Sequence, residues 1–351
     1  MTNPVNERKI QHIRIIESDG KVDRKMFYFD TIRLRHRALP ELDLASIDPS
    51  TRFLGKDLSF PLLISSMTGG NHELIRTINR NLAIAAERAG VAMGVGSQRV
   101  MFNSPGARAS FEIRQHAPNA LLFSNIGAVQ LNHGFGVEAC REATDVLDAD
   151  GLYLHLNPLQ EAVQPEGDTN FSGLSGKIIA VAESLDVPVI LKEVGAGISR
   201  EDAALFLGSA VKHIDVAGSG GTSWSRIENH RSDTSEEGLG IVFQDWGVPT
   251  PTALCELAPL RDEFTLIASG GIRSGIDMVK AMILGASLCG LASPFLKPAT
   301  ESPEAVLAVV ERLKREFVTA MFLLGTDRID GLHRNEALIL SDHESDGRRT
   351  G

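Results

Sequence analysis

Residues 154–171 read LHLNPLQEAVQPEGDTNF and leave an apolar stretch, Gly151-Leu152-Tyr153-Leu154, for a dense polar run. His155, Asn157, Gln160, Glu161, Gln164, Glu166 and Asp168 crowd into it. Pro158 and Pro165 forbid simple helical continuation, so the run reads as a rigid connection that holds something. Taken alone, Glu161 reads as one half of a loop salt bridge. Lys192, after Val189-Ile190-Leu191, raises a related question, because a lysine on a buried strand is costly unless it meets an anion. A salt bridge to Glu193 or another carboxylate fits that spacing, and so does a cation beside the electron-rich edge of a reduced flavin.

Anion-binding signals recur at fixed places. SSMTGG (65–70), GVGSQR (94–99), AGSGGTSW (217–224), ASGGIRSG (268–275) and LASPF (291–295) all follow apolar runs. Glycines let backbone N–H groups approach a ligand, and clustered N–H groups bind anions. GGIR and LAS together point to a phosphate. GVGSQR and GAGISR begin G-x-G but lack the third glycine, so no dinucleotide-binding domain is expected. Arg8, Lys9 and His12 read either as a solvated polar face or, with Arg99, as a cluster neutralising a diphosphate.

The elements that must position these groups are legible as eight strand-like runs: 61–67, 91–97, 121–127, 151–156, 187–194, 213–218, 264–270 and 288–293. Helical spacing follows several of them, in 71–90, 199–210, 273–286 and 302–324, with Ser199 an N-cap candidate. Eight strand–helix units with near-continuous apolar strands predict an α/β fold, a single (β/α)8 TIM barrel with an N-terminal arm. An open doubly wound sheet is the main rival. The expected organisation is an arm over 1–60, a barrel over 61–325 and a C-terminal tail over 326–351, whose charge suggests mobility although Ala337–Leu340 could dock. The longest strand-to-helix connections follow strands four and six, on the face where such barrels carry their sites.

Composition narrows the class. The 351 residues are 43% hydrophobic and 23% charged, with a net charge of -10, which argues against a general nucleic-acid or membrane-surface binder. Cys140, Cys255 and Cys289 have no paired spacing, so a cysteine metal cluster is excluded and a reducing, cytoplasmic setting expected. No signal-peptide or membrane-spanning stretch is read.

In order along the chain, RKIQH, SSMTGG, GVGSQR, SNIGA, HLNPLQE with QPEGDTNF, KEVGAGIS, AGSGGTSW, DWG, SGGIR and LASPF occur. With them the chain resembles the type 2 isopentenyl diphosphate isomerases, FMN-dependent enzymes that interconvert isopentenyl and dimethylallyl diphosphate. The resemblance covers about Arg8 to Pro298 and implies a flavin at the mouth of a (β/α)8 barrel. It implies that Ser65, Ser66, Met67, Thr68, Ser97 and Asn125 line the flavin. Lys192 would lie near its N1 and O2, with Thr222, Gly271, Arg273, Ala292 and Ser293 completing the ring and phosphate contacts. Arg8, Lys9, Ser97, Gln98 and Arg99 would hold the substrate diphosphate, with His12 beside them. His155, Asn157 and Gln160 would face the substrate, Gln160 as a possible proton relay, and Glu161 would ligate Mg2+. NADPH would reduce the flavin, and a homo-oligomer, tetramer or octamer, is expected. Two flavin-barrel or nucleotide-barrel rivals fit less well. An FMN-dependent 2-hydroxy-acid oxidase places a His-Gly-x-Arg motif where this chain has AGSGGTSW, and an IMP dehydrogenase-like barrel needs a nucleophilic cysteine on a glycine loop. A barrel that binds flavin or phosphate without chemistry is the non-enzyme alternative.

Overall fold

The computed structural model describes residues 4–24, 27–232 and 238–340. Eight parallel strands close into a barrel. They are β1 (Leu62–Ile64), β2 (Ala92–Gly94), β3 (Leu122–Gly127), β4 (Gly151–His155), β5 (Val189–Lys192), β6 (His213–Asp215), β7 (Thr265–Ser269) and β8 (Ala286–Leu291). Each lies within or overlaps one of the eight apolar runs. The sheet closes where Cys289, Gly290 and Leu291 of β8 pair with Leu62, Leu63 and Ile64 of β1.

Alternation along the strands sorts side chains into two cores. Leu62, Ile64, Leu152, Leu154, Val189 and Leu191 belong to the large core shared with the surrounding helices. Leu63, Ala92, Phe123, Tyr153, Ile190, Ile267 and Leu288 point inward and form a separate cluster. Phe53 joins that cluster from an antiparallel hairpin, Thr51–Phe53 with Lys56–Leu58. Its ring lies 6.4 Å from Phe123 and 5.7 Å from His213 at the start of β6, so the hairpin plugs the N-terminal end of the barrel. Leu54 and Gly55 both have positive φ, the backbone a two-residue hairpin loop requires.

The N-terminal segment expected as an arm contains a helix, α1 (Pro4–Ser18), which packs against a helix following β6, described below. Helix α2 (Glu73–Ala89) ends at Gly90 in the left-handed conformation, as its sequence predicts. The last described residues are not a free tail. Leu340 donates its N–H to the Arg33 carbonyl at 2.9 Å, and Arg35 donates to Leu338 at 2.8 Å. The docking of Ala337–Leu340 is therefore found, while residues 341–351 of the expected tail lie outside the described residues. Among the described residues no helix is long and apolar enough to cross a membrane.

Candidate active site

One pleat above the apolar floor, the inward positions turn polar. Leu63 gives way to Ser65, Phe123 to Asn125, Tyr153 to His155, Ile190 to Lys192, His213 to Asp215 and Ile267 to Ser269. Gly290 and Gly94 occupy the corresponding positions on β8 and β2. A Cβ at Gly290 would lie 2.5 Å from Ser65 Oγ, and one at Gly94 would lie 2.9 Å from Ser66 Oγ. These glycines leave this polar layer the room it needs at the floor of an open cavity.

That cavity, counted with the open space at its mouth, spans about 1310 Å3. Ser65, Ser66, Met67, Thr68, Ser97, Asn125, Lys192, Thr222, Gly271, Arg273, Ala292 and Ser293 all line it. The hydroxyls of Ser65, Ser66 and Thr68 are buried without a hydrogen-bond partner. Buried hydroxyls are otherwise almost always satisfied, so three together suit a polar ring system such as a flavin. Lys192 pairs with Asp215, its Nζ 2.8 Å from Oδ2, and not with Glu193. Glu193 turns away to accept the backbone N–H groups of Val194, Gly195, Ala196 and Gly197. On the side of the cavity formed by the β7 and β8 loops, Arg273 is already engaged by Asp23, and Ser293 Oγ donates to the same carboxylate at 3.5 Å.

A second, smaller cavity adjoins the first and shares Lys9, His12, Ser97, His155 and Gln160 with it. Arg8, Arg99, Gln130, Asn157, Glu161 and Gln164 complete its polar lining. Here the prolines bound a short helix, α3 (Pro158–Val163), instead of preventing one. Pro158 sits in its first turn, where its missing N–H costs nothing. Glu161 accepts from Asn157 Nδ2 at 2.8 Å, Gln164 Nε2 at 2.6 Å and the Asp168 N–H at 2.7 Å. The Asn157 Oδ1 is buried without a partner. An amide oxygen and a carboxylate side by side suit a hard cation that takes its other ligands from phosphate and water. Among the described residues no three His, Cys, Asp or Glu side chains gather to hold a metal by themselves.

The charges around this cavity are strongly biased. Burial, with Arg8 beside it, lowers the Lys9 pKa to about 8. Among the described residues Lys9 has no hydrogen bond or ion pair of its own, whereas Arg8 faces Glu166 at 3.5 Å and Arg99 holds Asp168 at 2.7 Å. Burial and the Lys9, Lys192 and Arg99 charges push His155 down to about 3. Its Nδ1 lies 2.6 Å from Asn125 Oδ1, and Asn125 Nδ2 donates to the Val95 carbonyl at 3.1 Å. Neutral His155 must therefore carry its proton on Nδ1 and present the Nε2 lone pair.

Gln98 departs from the expected substrate set. It is fully buried, donates from Nε2 to the Ala143 carbonyl at 2.8 Å and accepts the Asn125 N–H at 2.9 Å. Both ends of its amide support the barrel wall, and it lines neither cavity. The sequence also hides Glu228, on helix α4 (Trp224–Arg231), the helix against which α1 packs. Glu228 is fully buried, accepts from Gln160 Nε2 at 2.7 Å, lies 3.2 Å from His12 and pairs with Arg231. Burial alone would raise its pKa, but the His12 ring beside it and hydrogen bonds from Gln160 and Arg231 outweigh it and hold Glu228 at about 2. Burial likewise lowers His12 to about 4. The only sequence signal was Glu228 and Arg231 three apart in a polar segment, the usual look of a solvated face.

A family model described as FMN-dependent dehydrogenase matches residues 15–102 and 157–339. The isopentenyl-diphosphate delta-isomerase of Paracoccus zeaxanthinifaciens is 57% identical, over 95% of this chain and 96% of its own. The protein of that name from Hydrogenovibrio crunogenus is 52% identical, over 96% and 99%, and that from Methanosarcina mazei 44%, over 97% and 93%. The chain belongs to the isopentenyl-diphosphate delta-isomerase family. Among solved structures, a flavocytochrome b2 variant superposes with a TM-score of 0.66 at 17% identity, over 98% of this chain and 85% of that one. A mandelate oxidase variant gives 0.61 at 19%, over 93% and 96%. At such identities the likeness shows the fold of this family member and nothing of its chemistry.

Proposed function

We propose that this protein interconverts isopentenyl and dimethylallyl diphosphate by a 1,3-allylic proton shift. One observation carries the reading: two cavities meet at Gln160 and His155, one with unpartnered hydroxyls and Lys192, the other with Arg8, Lys9 and Arg99. The first suits FMN and the second a diphosphate whose hydrocarbon end reaches the junction. Glu161 and Asn157 Oδ1 would hold Mg2+ against the diphosphate.

The histidines and the carboxylate at the junction do not supply the acid an alkene needs. His155 and His12, at about 3 and 4, are neutral at pH 7, and Glu228, at about 2, is ionised. Bound reduced FMN supplies the acid–base chemistry. The protein's own residues do the positioning. Asn157 Nδ2 donates to Gln160 Oε1 at 3.2 Å while Gln160 donates to Glu228, so the amide is oriented from both ends. Lys192 presents positive charge at the floor, where an anionic reduced flavin gains from it. Reduction of the flavin by NADPH, assembly into a tetramer or octamer and a cytoplasmic location belong to the same reading. The 2-hydroxy-acid oxidase alternative lacks its base, because the connection from β6 to α4 carries no histidine.

The test is anaerobic NMR of isopentenyl diphosphate in D2O with the protein, FMN, Mg2+ and NADPH. Deuterated dimethylallyl diphosphate, absent while the flavin stays oxidised, is the expected result. No turnover with reduced flavin bound would end the isomerase reading and keep the barrel.

A further inference from the structure

Asp215 is a buried carboxylate that the proposed reaction does not use. It stands at the C-terminal end of β6, fully buried, with its Cα in register with Lys192 of β5. Lys192 Nζ donates to Asp215 Oδ2 at 2.8 Å and to Ser269 Oγ at 3.2 Å, while Ser269 Oγ donates to Asp215 Oδ1 at 2.6 Å. The three side chains from β5, β6 and β7 close a triangle. Two of the three ammonium protons are engaged in it, and the third is left for the cavity that Lys192 and Ser269 line. Below the triangle lies the Tyr153 ring, with Lys192 Nζ 5.5 Å from its centroid. Asp215 itself does not line the cavity and so acts on its contents only through Lys192 and through its charge.

A lone ammonium beside a flavin favours the reduced, negatively charged form and raises the reduction potential. A carboxylate paired to that ammonium opposes the effect, most strongly where both are out of water. We infer that Asp215 is a positioning residue that sets the redox poise of the cofactor. It aims the free proton of Lys192 into the cavity and offsets part of that cation's field, so bound flavin meets a tempered positive charge. This rests on the flavin reading of the cavity and is independent of whether the isomerisation occurs.

The experiment is a dye-equilibrium measurement of the two-electron potential of protein-bound FMN in wild type, Asp215→Asn, Lys192→Gln and the double variant. Asp215→Asn is expected to raise the ratio of reduced to oxidised flavin at a fixed poise about tenfold, about 30 mV for a two-electron couple. Lys192→Gln, which leaves the carboxylate alone, should lower the potential, and the double variant should return towards wild type. A purely structural Asp215 would change FMN affinity and leave the potential of the bound fraction where it was, which overturns the inference. Should Asp215→Asn fail to fold, the comparison of Lys192→Gln with the double variant decides, and equal potentials in those two overturn it. Wild-type protein that takes up no FMN, seen directly as missing flavin absorbance, would instead overturn the flavin reading and this inference with it.

Discussion

Gln160 is gripped by Asn157 on one side and Glu228 on the other, and Glu161 next to it by three donors. Changing either carboxylate to its amide therefore tests distinct roles. Glu161→Gln should raise the Mg2+ concentration for half-maximal activity at least about tenfold with flavin still bound, as loss of metal-site groups does. An unchanged metal titration would remove Glu161 from the metal site. Glu228→Gln leaves one acceptor oxygen for Gln160 and Arg231 to compete for, so it loosens the Gln160 amide and should lower kcat/KM by about 100-fold, within the range of lost proton-transfer geometry; wild-type kinetics would show that the orientation is unimportant. Lys9 gives a pH signature. Its charge is present below about pH 8, so diphosphate affinity should fall as pH rises through that value, and Lys9→Arg should flatten the profile. Because the folded-state pKa is depressed, the buried charge costs stability below pH 8, and the cost fades between there and the unfolded value near 10.5.

At the scale of elements, caps and turns hold the loops that carry the site. Helix α5 (Gly275–Ile283) begins with a capping box in which the Ser274 side chain accepts the Asp277 N–H. Asp277 in turn accepts the Arg273 and Ser274 N–H groups at 3.1 and 3.0 Å, fixing the SGGIR turn that lines the cavity. Ser274→Ala should cost about 1 kcal/mol in urea unfolding and weaken FMN retention, since the turn keeps only the Asp277 half of the box. Unaltered FMN affinity would confine the cap to stability. The element boundaries show how local signals compete. Ser199 does cap its helix, as its position predicts, but the helix stops at Ala204 because the chain turns into loop well before Ser209-Ala210. Helix α4, by contrast, buries a single apolar side chain, Ile227, among Ser225, Arg226, Glu228 and Asn229, so no apolar stripe could reveal it.

The whole molecule is completed by segments outside the strand–helix repeat. The hairpin fills the floor, and the last described residues bind back onto residues 33–35. Leu332 in that returning segment is fully buried. Leu332→Ala should cost about 2–5 kcal/mol by urea unfolding, the usual loss for a deleted core leucine, with FMN affinity intact at 25 °C. A change below 1 kcal/mol would show the segment to be peripheral to the core.

The sequence alone determined eight strand–helix units, because each strand carries its own apolar run, and with the family resemblance it pointed to a closed barrel over an open sheet. It also determined which glycine and hydroxyl loops gather at the C-terminal face, since that face follows from strand direction. Partnerships between distant strands were decided only by the tertiary structure. Lys192 meets Asp215 and not its neighbour Glu193, because successive residues on a strand point to opposite sides and inward positions on adjacent strands meet. Gln160 meets Glu228, 68 residues on, because α3 and α4 pack together across the barrel mouth. Gln98 fell on the wall and not in the site for a related reason, since a hydrogen bond to the Ala143 carbonyl is visible only once the chain has folded.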